Sequence, residues 1–217
     1  MDIHFIHWLT FVGIFFMFAA APGPDFLMVL RNSLIYSRKA GIYTALGVSL
    51  GTLTHVSYTL LGVAAVISGS VIIYNVIKWM GAIYLAYVGF RAIFSQGLDQ
   101  KTVNSSLDEH KEKEVKSISS KQAFISGFLT DFLNPKAVLF FLAVFSQIIN
   151  PETPLFWKLM SGISAPIISA LWFTVFACFL TEQKIHRIFL RFSKWIDRAC
   201  GIAFIGLGVK LALTAKN

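Results

Sequence analysis

The sequence predicts an all-α integral membrane protein of six transmembrane helices, built as two inverted three-helix repeats. Three observations carry that expectation. The chain has apolar blocks long enough to cross a bilayer, Lys and Arg crowd into alternate loops, and a proline break interrupts the first block of each half. Hydrophobic residues make up 56% of the 217-residue chain and charged residues 14%, with a mean hydropathy of +0.67. A soluble domain of this length carries far more charge on its surface.

The blocks fall at about 4–30, 40–67, 70–94, 122–149, 155–181 and 197–215, each near the length that crosses roughly 30 Å of hydrocarbon. The first opens "MDIHFIHWLTFVGIFF", with no Lys or Arg. It therefore lacks the positive start of a secretory signal and is expected to remain as a span. Between the third and fourth blocks, "QGLDQKTVNSSLDEHKEKEVKSISSK" is rich in Ser and mixed charge and reads as a flexible linker. The expected organisation is one transmembrane transport domain over residues 1–217. Its first repeat covers about 1–95, a cytoplasmic linker 96–121, and its second repeat about 122–217.

Orientation follows from the basic residues. Arg31, Arg38 and Lys39, then Arg91, Lys101, Lys111, Lys113, Lys116 and Lys121, then Lys184, Arg187, Arg191, Lys194 and Arg198 share one side. Lys78, Lys158, Lys210 and Lys216 fall on the other, and Lys136 lies inside a span. Positive loops stay cytoplasmic, so both termini are expected outside. The pI of about 9.6 then reflects topology and contact with the lipid bilayer, with no nucleic-acid partner. Trp8, Trp79 and Trp157 mark outer boundaries and Trp195 the inner one. In "EQKIHRIFLRFSKWIDR", apolar residues at helical spacing oppose five basic ones, which predicts an interfacial helix leading into the sixth span.

The breaks point to function. "AAAPGPDF" places Pro22, Gly23, Pro24 and Asp25 inside the first span, and "GFLTDFLNPKAVLFF" places Asp131, Asn134, Pro135 and Lys136 inside the fourth. "GAIYLAYVG" from Gly81 also resembles "GIAFIGLGV" from Gly201. Each half has an odd number of spans, so the second half must run upside down relative to the first. Irregular backbone inside a membrane is tolerated where it is buried or lines a wet cavity, and opposed broken helices aim their partial charges at one point. Such a point suits a zwitterion, and both breaks are expected to border a common polar cavity.

These same motifs, "PGPDF", "AGIYTALGVSLGTLTHVSYTLLG" and "SGFLTDFLNPKAVLFF", resemble the LysE/RhtB family of amino-acid exporters over nearly the whole chain except the linker. The resemblance implies a bacterial inner-membrane exporter of a small amino acid or derivative, driven by the proton-motive force. Many members of that family carry an acid where this chain has Thr52, which weighs against a cationic substrate that depends on one.

The candidate substrate-binding residues are Pro22, Gly23, Pro24, Asp25, Asn134, Pro135 and Lys136. Asp25, Asp131 and His55 are candidates for proton coupling, because a carboxylate or imidazole out of water can bind and release a proton near neutral pH. Each has a plainer role open to it: Asp25 as a helix cap, His55 as a hydrogen-bonded packing residue, and Lys136 as counter-charge to either acid or as holder of a substrate carboxylate. Gly47 and Gly51 form a GxxxG pair suited to close helix packing. Cys178 and Cys200 stand apart, with no CxxC, and HExxH, GxSxG and phosphate-loop motifs are missing, so neither enzyme chemistry nor a cofactor is expected. A metal-ion exporter of the same architecture or a non-transporting scaffold are the alternatives, and a homo-oligomer is compatible with the pattern. Topology is checked by labelling from outside. A cysteine replacing Ser105 should stay unlabelled in intact cells and react once the membrane is opened, and labelling in intact cells would reverse the orientation.

Overall fold

The computed structural model describes residues 3–69, 71–95, 117–148, 153–179 and 183–213, and these contain eight α-helices and no strand. In chain order they are α1 (Ile3–Ala20), α2 (Pro24–Ile35), α3 (Arg38–Gly69), α4 (Val71–Ile93), α5 (Ser120–Phe132), α6 (Pro135–Ile148), α7 (Leu155–Phe179) and α8 (Gln183–Leu213). By length and apolarity α1 and α7 can each cross a membrane alone, and α5 with the start of α6 can do so as a pair bent by 55°. The linker expected at 96–121 lies outside the described residues up to position 116.

Each proline break divides a predicted span in two. α1 stops at Ala20 and α2 restarts at Pro24. α5 stops at Phe132 and α6 restarts at Pro135. Both prolines occupy the first position of the new helix, where the missing N–H costs nothing and the fixed φ suits a helix start. α5 begins on a capping box: Gln122 N donates to Ser119 Oγ (3.2 Å) and Ser119 N to Gln122 Oε1 (3.0 Å). The stretch expected as an interfacial helix leading into the sixth span is continuous with the helix that follows. α8 runs unbroken from Gln183 to Leu213, because no Pro or Gly precedes Gly201 to interrupt it.

Phenylalanines knit the broken elements together. Phe11, Phe15 and Phe18, at helical three-four spacing on α1, meet Phe140, Phe141 and Phe145 on α6, all buried. Phe18 and Phe140 stack at 4.0 Å and Phe11 and Phe145 at 5.3 Å. Trp8 near the start of α1 and Trp157 near the start of α7 sit 6.4 Å apart, with Phe5 beside both. The N-terminal ends of α1 and α7 are therefore neighbours.

Small residues decide how closely the long helices approach. A Cβ on Gly47 would lie 2.0 Å from the Phe124 carbonyl oxygen, and one on Gly127 would lie 2.1 Å from that of Thr44. α3 and α5 thus touch backbone to backbone. A Cβ on Gly51 would fall 2.6 Å from Asp131 Oδ2, which makes this glycine the clearance for a buried acid. α4 and α8 meet reciprocally: a Cβ on Gly89 would strike the Gly201 carbonyl at 2.7 Å, and one on Gly201 the Gly89 carbonyl at 2.6 Å. Cys178 and Cys200 are both free thiols.

These contacts give a stability prediction. Gly47→Leu and Gly127→Leu should each lower the detergent-solubilised protein's Tm, by the about 1–3 kcal/mol of an overpacked core or more. Gly13→Ala, where a Cβ meets nothing within 4 Å, should instead hold or raise it, since alanine suits a helix better by about 1 kcal/mol.

Candidate functional site

The two breaks meet. Asn134 Nδ2 donates to Asp25 Oδ2 at 2.9 Å across 109 residues of sequence. The same side chain caps its own half-helix, because Asn134 Oδ1 accepts from the Lys136 backbone N–H at 3.0 Å. One amide therefore closes the start of α6 and ties it to the first turn of α2. On the other side of the break, Gly23 is extended (φ −169°, ψ −174°), which any residue can adopt. A Cβ there would lie 3.3 Å from Lys136 Nζ, a tight contact that the flexible end of the lysine can relieve.

Asp131 stands at the centre. Proline at position 135 cannot donate to the Asp131 carbonyl four residues earlier, so that carbonyl is left short of its helical partner. His55 Nε2 takes it at 2.7 Å, and Asn134 N donates to it as well, at 2.9 Å. His55 Nδ1 meets the Tyr58 hydroxyl. With Nε2–H donating to a carbonyl, Nδ1 is the acceptor and Tyr58 the donor. The imidazole is wholly buried and serves first to satisfy the backbone that Pro135 leaves open.

The Asp131 carboxyl has its own partners. Thr52 Oγ1 donates to Oδ2 at 3.3 Å and is 3.4 Å from Ser169 Oγ. His55 Nε2 lies 3.7 Å from the same oxygen. Asp25 and Asp131 line one small cavity, and among the described residues Asp25 Oδ1 has no hydrogen-bond partner. Lys136, half-buried, sets its ammonium over the Phe18 ring at 4.6 Å from the centroid, close enough to act on Asp25. A cation at the second position of a helix opposes the helix dipole, whereas Asp25, at the second position of α2, agrees with it. The Phe18 ring and Asp25 offset that cost locally.

Two cavities flank this cluster. A closed one of about 10 Å³, the size that holds about one water, is bordered by Asp25, Asp131, Thr52, Ser169 and Lys136. A wide vestibule of about 690 Å³ reaches from Pro22, Gly23, Pro24 and Lys136 to Arg91 and Ser95 at the end of α4, with Asp197 of α8 in its wall. Ala21, Gly23 and Lys136 border both cavities and so form the divide between them. Among the described residues no group of three or more His, Cys, Asp or Glu side chains converges as metal ligands.

A family profile described as LysE type translocator matches residues 16–215. The chain belongs to this family. Its curated relatives include the threonine efflux protein of Escherichia coli, 30% identical over 95% of this chain and 98% of that protein. The membrane protein YrhP of Bacillus subtilis is 31% identical over 95% and 98%, and the threonine efflux protein of Salmonella typhi 29% identical over 89% and 91%. No solved structure matches the chain. Membership makes this LysE type translocator a membrane transporter and not an enzyme.

In this translocator, the sequence-predicted Pro22, Gly23, Pro24, Asp25, Asn134, Pro135 and Lys136 gather at one crossing, with Asp131 and His55 behind it. Gly47 lies away from the crossing in the α3–α5 seam, while Gly51 touches Asp131. Sequence reading missed Tyr58, Ser169, Ser95 and Asp197. Ser169 sits in the small-residue run "GISAPIISA" and Asp197 in a basic stretch, where neither stands out. Asn134 is the residue most exposed to test: Asn134→Ala removes a cap worth about 1 kcal/mol and strands a buried acceptor at about 1–3 kcal/mol. Its Tm should fall clearly, and adding Asp25→Asn should cost less than it does in the wild-type background. Additive losses would mean that the two side chains act independently.

Proposed function

We propose that this translocator is a secondary exporter of a small amino acid or amino-acid derivative, working by proton antiport in a bacterial inner membrane. The observation that carries the reading is the convergence of Asp25, Asp131 and Lys136 on the crossing of two broken helices, beside a vestibule of about 690 Å³. That size lies within the roughly 300–1,000 Å³ of small-molecule sites. The names of the threonine efflux relatives support an amino-acid cargo, and threonine is the first to try.

Six spans in two inverted repeats suit this mechanism. The reading is supported by the matching positions of Pro24 and Pro135 at half-helix starts and by the reciprocal contact of Gly89 and Gly201. With both termini outside, Arg91 and Ser95 of the vestibule lining lie next to the cytoplasmic linker in sequence, which supports entry from the cytoplasm. Substrate enters there, and its carboxylate meets Lys136 and the start of α6, where charge and helix dipole act together.

Coupling resides in the carboxyl pair. Asp25 and Asp131 line one small cavity, and two carboxyl groups that share a site hold a proton more readily than either would alone. Antiport requires the pair to release its proton when substrate is loaded and to take one up when the site is empty, and the pair and Lys136 line one small cavity, so that both loads act on one set of charges. His55 holds the Asp131 backbone in place and so acts as a positioning residue for the pair, with proton relay as its second option. A proton and a substrate that share one set of charges give antiport when the site alternates between the two membrane faces.

Proteoliposomes test this. Asp25→Asn or Asp131→Asn should cut export driven by a pH gradient by about 10-fold or more, while exchange of labelled for unlabelled substrate stays measurable. If both single variants export at the wild-type rate with the same pH dependence, neither carboxyl carries the proton. A screen of the twenty amino acids plus homoserine in overexpressing cells names the cargo, and export of none of them would sink the reading.

A further inference from the structure

Asp197 is a buried acid that the mechanism above does not use. Its side chain is 6% exposed, in the wall of the vestibule, and Asp is almost never so buried unless it is paired. Among the described residues its partner is not a cation. Asp197 Oδ2 accepts from Ser95 Oγ at 2.6 Å, and among the described residues no Lys or Arg forms an ion pair with it. The basic groups close by in sequence or space are turned to other tasks. Arg198 lies over the Trp195 ring at 5.6 Å, and Arg91 lies over the Tyr87 ring at 5.9 Å while its Nη1 donates to the Tyr87 hydroxyl at 3.4 Å. Lys136, across the vestibule, acts on Asp197 only through the field between them.

The vestibule therefore presents Lys136 and Asp197 to a shared space with no ion pair between them, while Arg91 in the same lining is held on Tyr87. Walls of Tyr84, Tyr87, Phe90 and Phe204 run between Lys136 and Asp197. Keeping opposite charges apart in a low-dielectric setting is costly unless a ligand completes both. A ligand that does so carries a carboxylate and an ammonium together.

We infer that Asp197, fixed by Ser95, is the ammonium-recognition residue of the vestibule, so that an α-amino acid is held by its carboxylate at Lys136 and by its amino group at Asp197. This rests on the exporter reading and narrows it. The cargo class is the free α-amino acid, and N-acylated acids, which lack the ammonium, are rejected. Asp197 thus decides which molecules are loaded, while the Asp25–Asp131 pair decides how loading is coupled to the proton.

The experiment is uptake into everted proteoliposomes of wild type, Asp197→Asn, Asp197→Glu and Ser95→Ala, with L-threonine and N-acetyl-L-threonine as probes. Wild type should prefer threonine. Asp197→Asn should raise the threonine KM by about 10-fold or more with a smaller change in kcat, and should erase the preference over the N-acetyl compound. Asp197→Glu, which keeps the charge, should restore the preference. A threonine KM within twofold of wild type in Asp197→Asn, with rejection of N-acetyl-threonine intact, overturns the inference while leaving the exporter reading standing. Wild type that moves neither threonine nor any other free amino acid overturns the exporter reading itself. Should Asp197→Asn fail to reconstitute, Ser95→Ala decides. Loss of the bond that orients the carboxylate should shift the KM for threonine and leave that for N-acetyl-threonine alone, and no shift in either overturns the inference.

Discussion

A helix interrupted inside hydrocarbon leaves backbone groups that only other parts of the protein can satisfy, and most of this structure is arranged around that constraint. Pro135 removes the donor that the Asp131 carbonyl would have used, and His55 from α3 together with Asn134 N fills the gap. Asn134 then caps α6 and reaches across to Asp25 at the start of α2. Without that bridge the two half-helix ends would each carry unpaired groups. With it, the start of α6 is capped and tied to the start of α2. The close α3–α5 seam at Gly47 and Gly127 follows from the same need, because His55 and Thr52 must come within hydrogen-bonding reach of Asp131.

The charges placed at the crossing cannot be explained by stability alone. Asp25 agrees with the dipole of the helix it begins, and Lys136 opposes the dipole of its own. Buried ion pairs seldom repay their desolvation, so a lysine at an N-terminus, with its ammonium over Phe18 and beside Gly23, is an expense that binding can recover. It lines both the water-sized cavity and the open vestibule, which is the position the proposed coupling of substrate to proton requires. The packing near it is aromatic and close, with Phe18 stacked on Phe140, which keeps a side chain of such reach from swinging freely.

The apolar blocks, the proline pairs and the acids beside them are local properties, and each was readable from its own few residues. Composition alone chose lipid as the solvent, and "PGPDF" and "DFLNPK" marked where regular helix must fail, because proline lacks an N–H whatever surrounds it. Amphipathic spacing before the sixth span identified a face and did not say where a helix ends, and α8 runs unbroken from Gln183 to Leu213.

What only the tertiary structure decided is who meets whom. Sequence left open whether Lys136 serves Asp25, Asp131 or a ligand, and the fold sets it beside Asp25 and at the vestibule wall, with Asp131 turned to Thr52 and His55. Tyr58, Ser169 and Ser95 gave no signal, since a lone hydroxyl on a membrane helix acquires meaning from the partner across the interface. Asp197 hid among five basic residues, where a solvated counter-charge is the ordinary reading, and only the packing of α8 against α4 turned it inward to Ser95. The physical reason is one of range: backbone chemistry and hydropathy act over a few residues, while hydrogen bonds and charge pairs are set by contacts between residues as far apart as Asp25 and Asn134.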